Sequence, residues 1–147
     1  MNSQPIISSS HAFYLIRLHI VFVTKYRRKI LTPEIRKFLE HSFRGVLKSW
    51  KCSLEEFGGE DDHVHLLIGI HPALDISRLI NNLKSASSRT VRSHFKEHVD
   101  KFYWKPYFWH LAYYVGSVGV VSLDTIKNYI ENQGVQEKGK SLARPTS

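Results

Sequence analysis

The apolar and polar positions divide the chain into short strand-like segments and longer helical ones. Residues 13–24 are rich in aromatic and β-branched side chains, with Arg17 and His19 on one alternate face, which predicts a strand. From residue 33 to about 50, apolar residues recur every three or four positions. Thr32 precedes this run and suits an N-cap, so the pattern predicts a helix.

The remaining segments continue the same alternation. They are a weaker strand over 51–57, a turn at Gly58–Gly59 with the following acids, a strand over 63–70, a helix over 75–99, a loop and strand within 102–116, and a helix over 123–133 that ends at Gly134. The first six elements follow the order of the ferredoxin-like split βαβ pattern. We therefore expect an α+β fold, with an antiparallel sheet, helices on one face and an added C-terminal helix.

Length and composition favour one basic globular domain. The chain has 147 residues and a formal charge of +8, which favours a polyanionic partner such as nucleic acid. Cys52 is the only cysteine, and the apolar stretch 13–23 is too short to span a bilayer. We expect a cytoplasmic protein with a domain over 11–135, a flexible N-terminal tail over 1–10 and a flexible basic C-terminal tail over 136–147.

The strand over 63–70 carries a histidine pair. Side chains alternate along a strand, so His63 and His65 share one face, while Val64 and Leu66 face a core. Two imidazoles on one face supply half of a metal site. The preceding acids Asp61 and Asp62 either orient a ligating imidazole or only form the turn.

The last predicted helix offers residues to complete this site. Tyr129 and Gln133 are four positions apart, so they are neighbours on one helical face. The oxygen of Gln133, together with His63 and His65, would make an N,N,O site that suits Mg²⁺ or Mn²⁺ and leaves positions open for phosphate. Tyr129 would then lie beside a phosphate, and a nearby cation would favour its phenolate as a nucleophile.

Taken together, these motifs resemble the HUH single-tyrosine transposases of the TnpA type, from the smallest bacterial and archaeal insertion sequences. The similarity spans nearly the whole chain. The matching segments are Val23–Arg28, Asp62–Leu67, Leu83–Arg89 and Tyr129–Gln133. A His-x-His motif alone is a weak signal, but its combination with a Tyr-x-x-x-Gln helix and the basic segment of residues 25–29 is specific.

The resemblance implies a chemistry and a set of roles. In this family, two histidines and a glutamine bind a divalent metal, here His63, His65 and Gln133, and a tyrosine, here Tyr129, attacks single-stranded DNA. The products are a 5′-phosphotyrosine and a free 3′-OH, which allow excision and insertion of an element with hairpin ends. Family members are homodimers. Contacts to the DNA suit six basic residues: Lys25, Arg27, Arg28, Lys84, Arg89 and Arg92.

Three other functions fit parts of the same pattern. A related tyrosine nuclease that processes palindromic repeats for a host task would carry the same site. A non-catalytic single-strand-binding module would explain the charge and the aromatic residues. A metal phosphoesterase that uses water would not need Tyr129.

Overall fold

The computed structural model describes residues 7–8 and 13–119. Its strands and helices are, in chain order, β1 Ile7–Ser8, β2 Phe13–Tyr14, β3 Ile16–Val23, α1 Pro33–Ser49, β4 Ser53–Gly59, β5 His63–Ile70, α2 Ile76–His94, α3 Lys96–Asp100 and β6 Tyr114–Val118. A 3-10 turn at Lys25–Arg27 joins β3 to the segment before α1. The helix expected over 123–133, which carries Tyr129 and Gln133, lies outside the described residues, as does the tail expected over 136–147.

The main sheet has four strands in the order β4-β5-β3-β6, and every neighbouring pair is antiparallel. Without the short β1–β2 pair, this is the strand order of the ferredoxin-like split βαβ fold. The inward side chains of β3 and β5 share one buried cluster with α1 and α2, so both helices cover the same face of the sheet. The predicted fold class is therefore confirmed for the described residues.

Helix α1 forms where its end signals and its apolar period agree. The Thr32 side chain accepts a hydrogen bond from the backbone N–H of Ile35 at 3.1 Å, and proline occupies the first helical position. Side chains three or four positions apart then point to the sheet and are fully buried, namely Ile35, Leu39, Phe43 and Leu47. The helix ends one residue before the predicted boundary near 50.

Helix α2 begins as predicted but is shorter than predicted. The Asp75 carboxylate caps it by accepting from the Arg78 N–H at 3.2 Å. The single helix expected to continue to 99 is interrupted at Phe95, which leaves the helical conformation at φ −116° and ψ 39°. The Phe95 ring packs edge-on against Phe38 of α1, with 5.2 Å between ring centroids. This contact with α1 accompanies the break, and the short helix α3 follows.

Strand β4 contains the glycine pair that the sequence pattern placed in a turn. Gly58 and Gly59 pair with His65 and Val64 of β5, so the strand covers Ser53–Gly59 instead of 51–57. The register shifts between Leu54 and Glu56, which is a β-bulge. Glycine fits these strand positions because the neighbouring strand β5 approaches them closely. The local sequence does not reveal this close approach.

The sheet face opposite the helices is also buried where β3 crosses it. Arg17 is 2% exposed, and its Nε lies 2.8 Å from the Glu55 carboxylate. A Cβ on Gly69, the β5 residue opposite Arg17, would stand 2.7 Å from a Glu55 oxygen. Glu55 therefore reaches across β5 to Arg17 because Gly69 has no side chain there.

The segment between α3 and β6 packs several of its aromatic residues against the domain. Phe108 and Trp109 belong to the main core, and the Trp109 indole N–H donates to the Ser87 hydroxyl of α2 at 2.9 Å. The fourth strand predicted within 102–116 forms at its C-terminal end, as β6, and Pro106 precedes it. Within residues 7–8 and 13–119, no helix has the length and apolar character needed to cross a membrane.

Candidate functional site

The two predicted histidine ligands lie side by side on β5. Val64 and Leu66 point into the core and are fully buried, so His63 and His65 point to the opposite face, as predicted from the alternation. Their ring centroids are 6.1 Å apart, and the ring planes are inclined by 33°. The two imidazoles are thus neighbours on one surface, with their rings tilted relative to each other.

Asp62 fixes the orientation of the first histidine. A carboxylate oxygen of Asp62 lies 2.8 Å from Nδ1 of His63. Because an ionised carboxylate only accepts hydrogen bonds, Nδ1 carries the proton and donates it. The lone pair of His63 is then on Nε2, which points away from Asp62 and is available to a cation. Of the two alternatives for Asp62, the contact supports the orienting role.

Arg27 reaches the same carboxylate from the basic segment. Its guanidinium lies 3.2 Å from the second oxygen of Asp62. The backbone N–H of Thr24 also donates to the Asp62 carbonyl at 3.0 Å. The basic segment is therefore tied to the turn before β5 by an ion pair and a main-chain hydrogen bond, and a chain of contacts runs from Arg27 through Asp62 to His63.

Gly58 makes room for the second histidine. A Cβ atom at Gly58 would stand 2.7 Å from the Cε1 atom of the His65 ring. The imidazole thus lies against the backbone of β4. Burial, followed by the nearby His63, lowers the pKa of His65 to about 4. His65 is neutral near pH 7, and neutral imidazole is the form that binds metals.

A third histidine completes a row of rings on this face. His19 of β3 is 1% exposed, and its ring lies edge-on to His65 at 6.2 Å and to Tyr114 at 5.6 Å. Burial, then electrostatic repulsion between the two rings when both are protonated, lowers the pKa of His19 to about 4. The alternation along β3 predicted that Arg17 and His19 share one face, and the structure buries both beneath the surface of the domain.

The residues present fit a divalent cation in part. Two imidazoles share one face, and one of them is oriented by a carboxylate, an arrangement typical of metal-binding histidines. Among residues 7–8 and 13–119, no three His, Cys, Asp or Glu side chains are close enough together to hold a metal ion. The predicted nucleophile Tyr129 and the predicted third ligand Gln133 lie outside the described residues.

The six predicted DNA-contacting residues fall into two groups. Lys25, Arg27 and Arg28 belong to the basic segment, where Lys25 and Arg28 lie over the ring of Tyr26 at 5.2 and 5.7 Å. The other three lie on α2, with Arg89 exposed, and Lys84 and Arg92 half-buried.

Lys84 differs from the others because its ammonium group is already bonded. It donates at 2.9 Å to the carbonyls of both His110 and Leu111, and burial lowers its pKa. Lys84 also lines a cavity of about 530 Å³ between α2 and the aromatic loop, together with the side chains of Lys25, Asn81, Ser85 and Ser88. Its immediate structural role is to hold that loop against the helix.

Comparison with known families identifies the chain. The model of the IS200-like transposases, whose description is "Transposase IS200 like", matches residues 12–133. The chain belongs to the IS200-like transposase family. The match covers the histidine pair and runs through Tyr129 and Gln133.

Individual relatives agree with this family assignment. The chain is 31% identical over 139 residues to the transposase for insertion sequence element IS200 of Salmonella typhimurium, covering 94% of this chain and 90% of the relative. It is 27% identical over 124 residues to the ISDra2 transposase TnpA of Deinococcus radiodurans, covering 84% of this chain and 88% of that one.

Solved structures of similar proteins share the fold. A crystal structure described as that of a transposase from Deinococcus radiodurans R1 aligns with a TM-score of 0.71 at 30% identity, covering 87% of this chain and 98% of that one. A REP-associated tyrosine transposase, solved bound to a REP hairpin, aligns with a TM-score of 0.55 at 12% identity. It covers 86% of this chain and 68% of the other, and at this identity the likeness concerns the fold.

Proposed function

We propose that this member of the IS200-like transposase family excises and inserts single-stranded DNA with hairpin ends through a covalent tyrosine intermediate. The observation that carries the proposal is the pair of imidazoles on one face of β5, one of them oriented by Asp62, in a chain of this family. Removing the two imidazoles from water costs hydration free energy, and groups held at such a cost are often functional.

The proposed metal ligands are His63, His65 and Gln133. Two imidazole nitrogens and one amide oxygen leave coordination positions open for phosphate oxygens and suit Mg²⁺ or Mn²⁺. A bound cation would polarise the scissile phosphate and neutralise its charge. The chain itself contributes the neutral state of His65 and the fixed tautomer of His63.

The proposed nucleophile is the phenol of Tyr129. Its oxygen attacks the phosphorus atom, the new bond joins tyrosine to the 5′-phosphate, and the bond from phosphorus to the 3′ oxygen breaks. The phenolic proton is lost, and the leaving 3′ oxygen gains a proton. Attack by a DNA 3′-OH on the phosphotyrosine then reverses the step, so no nucleotide triphosphate is consumed.

The proposed substrate is single-stranded DNA that folds into hairpins at the ends of the element. The charge of +8 and the exposed cations of the basic segment support a polyanionic ligand. A protein with this fold has been solved with a hairpin of REP DNA. We assign phosphate contacts to Lys25, Arg27, Arg28, Lys84, Arg89 and Arg92.

The REP-bound protein also motivates a second candidate function. A tyrosine nuclease that processes palindromic repeats for the host would use the same residues, so only the cognate DNA separates the two. The 31% identity to the IS200 transposase over most of both chains favours transposition.

We also propose a homodimer, and sedimentation velocity at micromolar concentration tests it, since a monomer mass would contradict it.

A covalent-adduct assay tests the proposed chemistry. Purified protein is mixed with 5′- and 3′-labelled single strands from the flanks of its own gene, with Mg²⁺ or Mn²⁺, and resolved by denaturing electrophoresis. We expect an SDS-resistant complex that retains the DNA 3′ of the cut. It should be absent in Tyr129→Phe and in His63→Ala/His65→Ala.

Tyr113→Phe is the matched control, since it also removes one phenolic hydroxyl and should still form the complex. Cleavage that persists in Tyr129→Phe would assign the nucleophile to water and overturn the proposal. Tight binding without cleavage of the correct flanks would favour a binding module.

A further inference from the structure

A small aromatic cavity lies beside the basic segment, on the side occupied by the loop before β6. Its volume is about 190 Å³, and Tyr26, Tyr103, Trp104 and Tyr107 form its aromatic walls. Cationic side chains of Arg28 and Lys105 also line it. The cavity therefore combines flat apolar surfaces with positive charge.

The inner walls of this cavity are held in place by the protein. The Tyr103 hydroxyl donates to the Lys25 carbonyl at 2.5 Å, and burial raises the pKa of Tyr103 to about 12, so it stays a neutral donor. Tyr107 lies edge-on to both Tyr26 and Tyr103, with centroid distances of 5.9 and 6.3 Å. These contacts pre-organise the walls before any ligand binds.

The backbone of Tyr26 is strained, and the ring of this residue is exposed to solvent. Tyr26 has φ 59° and ψ 18°, a left-handed conformation that is unfavourable for a non-glycine residue. The flanking backbone bonds fix this geometry, since Lys25 N–H donates to Phe108 at 2.8 Å and Arg27 N–H donates to Thr24 at 2.9 Å. The Tyr26 side chain remains 59% exposed.

Trp104 is the outer wall, and its exposure has no explanation in the packing of the described residues. Its side chain is 88% exposed, although its neighbour Tyr103 is 3% exposed. The Lys105 ammonium lies 5.0 Å from the centre of the indole ring. A large exposed aromatic beside cations is the composition of sites that stack unpaired nucleobases and contact the flanking phosphates.

We propose that this cavity binds one unpaired nucleobase of single-stranded DNA, stacked on Trp104, with Arg28 and Lys105 at the adjacent phosphates. The subsite rests on the proposed DNA substrate and adds a specific contact to it. Tyr26 is covalently next to Arg27, whose guanidinium contacts Asp62 and, through it, His63. A base held in the cavity therefore lies on the segment that also reaches the histidine pair.

The test compares DNA with and without bases. Fluorescence anisotropy of the full-length protein in EDTA measures its affinity for labelled oligo(dT) and for an abasic oligonucleotide of the same length. We expect the wild type to prefer oligo(dT). Trp104→Ala should lose about tenfold in affinity for oligo(dT) and little for the abasic strand, because one stacking contact is removed.

Two variants separate stacking from general effects. Trp104→Phe keeps an aromatic face and should retain most of the preference for bases. Leu111→Ala removes another large apolar side chain, 83% exposed, and should leave both affinities unchanged. Equal binding of the two oligonucleotides by the wild type, or unchanged binding by Trp104→Ala, would overturn the subsite.

The outcome is independent of the adduct assay. A protein that prefers bases through Trp104 but forms no phosphotyrosine complex would support the subsite and count against the proposed chemistry. Adduct formation with an unaltered affinity in Trp104→Ala would support the chemistry and overturn the subsite.

Discussion

The His65 imidazole lies against Gly58 of the neighbouring strand, where a Cβ atom would stand only 2.7 Å from the ring. Gly58→Ala should therefore displace the ring and reduce the affinity for Mn²⁺ about tenfold, a typical effect of disturbing the surroundings of a metal ligand. Isothermal titration calorimetry measures the affinity, and thermal unfolding checks the fold.

Gly45→Ala is the control for this substitution. Gly45 lies in α1, and a Cβ there would meet nothing within 4 Å. We expect it to leave Mn²⁺ affinity unchanged and to raise stability by about 0.5–1 kcal/mol, through helix propensity. Equal Mn²⁺ affinity in Gly58→Ala and wild type would show that the ring does not need this space.

Asp62→Asn should weaken metal binding by roughly 10- to 100-fold, because the carboxylate no longer fixes the proton on Nδ1 of His63. Metal titration of the purified variant measures the change. Asp100→Asn removes a carboxylate from an exposed pair with Lys96 and serves as the control. If both variants bind Mn²⁺ alike, Asp62 belongs only to the turn.

Glu55→Gln should destabilise the fold by about 3 kcal/mol, because it leaves the charge of Arg17 buried without its partner. Burial raises the pKa of Glu55, although Arg17 acts to lower it. The loss of hydration therefore offsets part of the attraction within the pair. Urea unfolding at pH 7 measures the difference. Glu40→Gln breaks an exposed pair with Arg44, and its cost should stay below about 1 kcal/mol. Equal costs in the two variants would contradict the prediction.

Lowering the pH should destabilise the metal-free protein even while His19 and His65 are still unprotonated in the folded state. The pKa values of His19 and His65 are lowered from 6.5 to about 4, so between these values the unfolded chain binds more protons than the folded one. The free energy of unfolding should fall by up to about 5 kcal/mol as the pH drops from 6.5 to 4, and histidine should add little further loss below that.

Urea titrations in EDTA across this range test the pH dependence. His65→Asn should reduce the slope, while His41→Gln, an exposed site on α1, controls for the loss of one imidazole. A slope that His65→Asn leaves unaltered would assign the acid sensitivity to carboxylates.

Patterns within a few residues of each other predicted which side chains share a face and where the helices begin. Alternation along β5 placed His63 and His65 on one face, and the end signals at Thr32 and Asp75 located the starts of α1 and α2. These features need only neighbours within a few positions along the chain.

The features that sequence reasoning missed depend on contacts between distant segments. Arg27 meets Asp62 across 35 positions, and the break at Phe95 accompanies a contact with α1. His19 carried no role in the sequence interpretation, although alternation along β3 places it beside the histidine pair. Its burial follows from the whole domain, which a pattern along one strand does not contain.

The bulge in β4 makes the number of residues, more than their identity, the constraint on this edge of the sheet. Leu54 and Phe57 both pack against the core although three positions separate them, because the register shifts between Leu54 and Glu56. If β4 paired with β5 without the bulge, Phe57 would lie opposite His65 on the other face of the sheet, and its aromatic ring would take the space that Gly58 leaves for His65. Deleting the extra residue would leave a regular ladder with Leu54 and Phe57 still facing the core, so an alignment gap at this point is compatible with the same histidine pair. A deletion elsewhere in the strand would instead move part of its side chains to the other face.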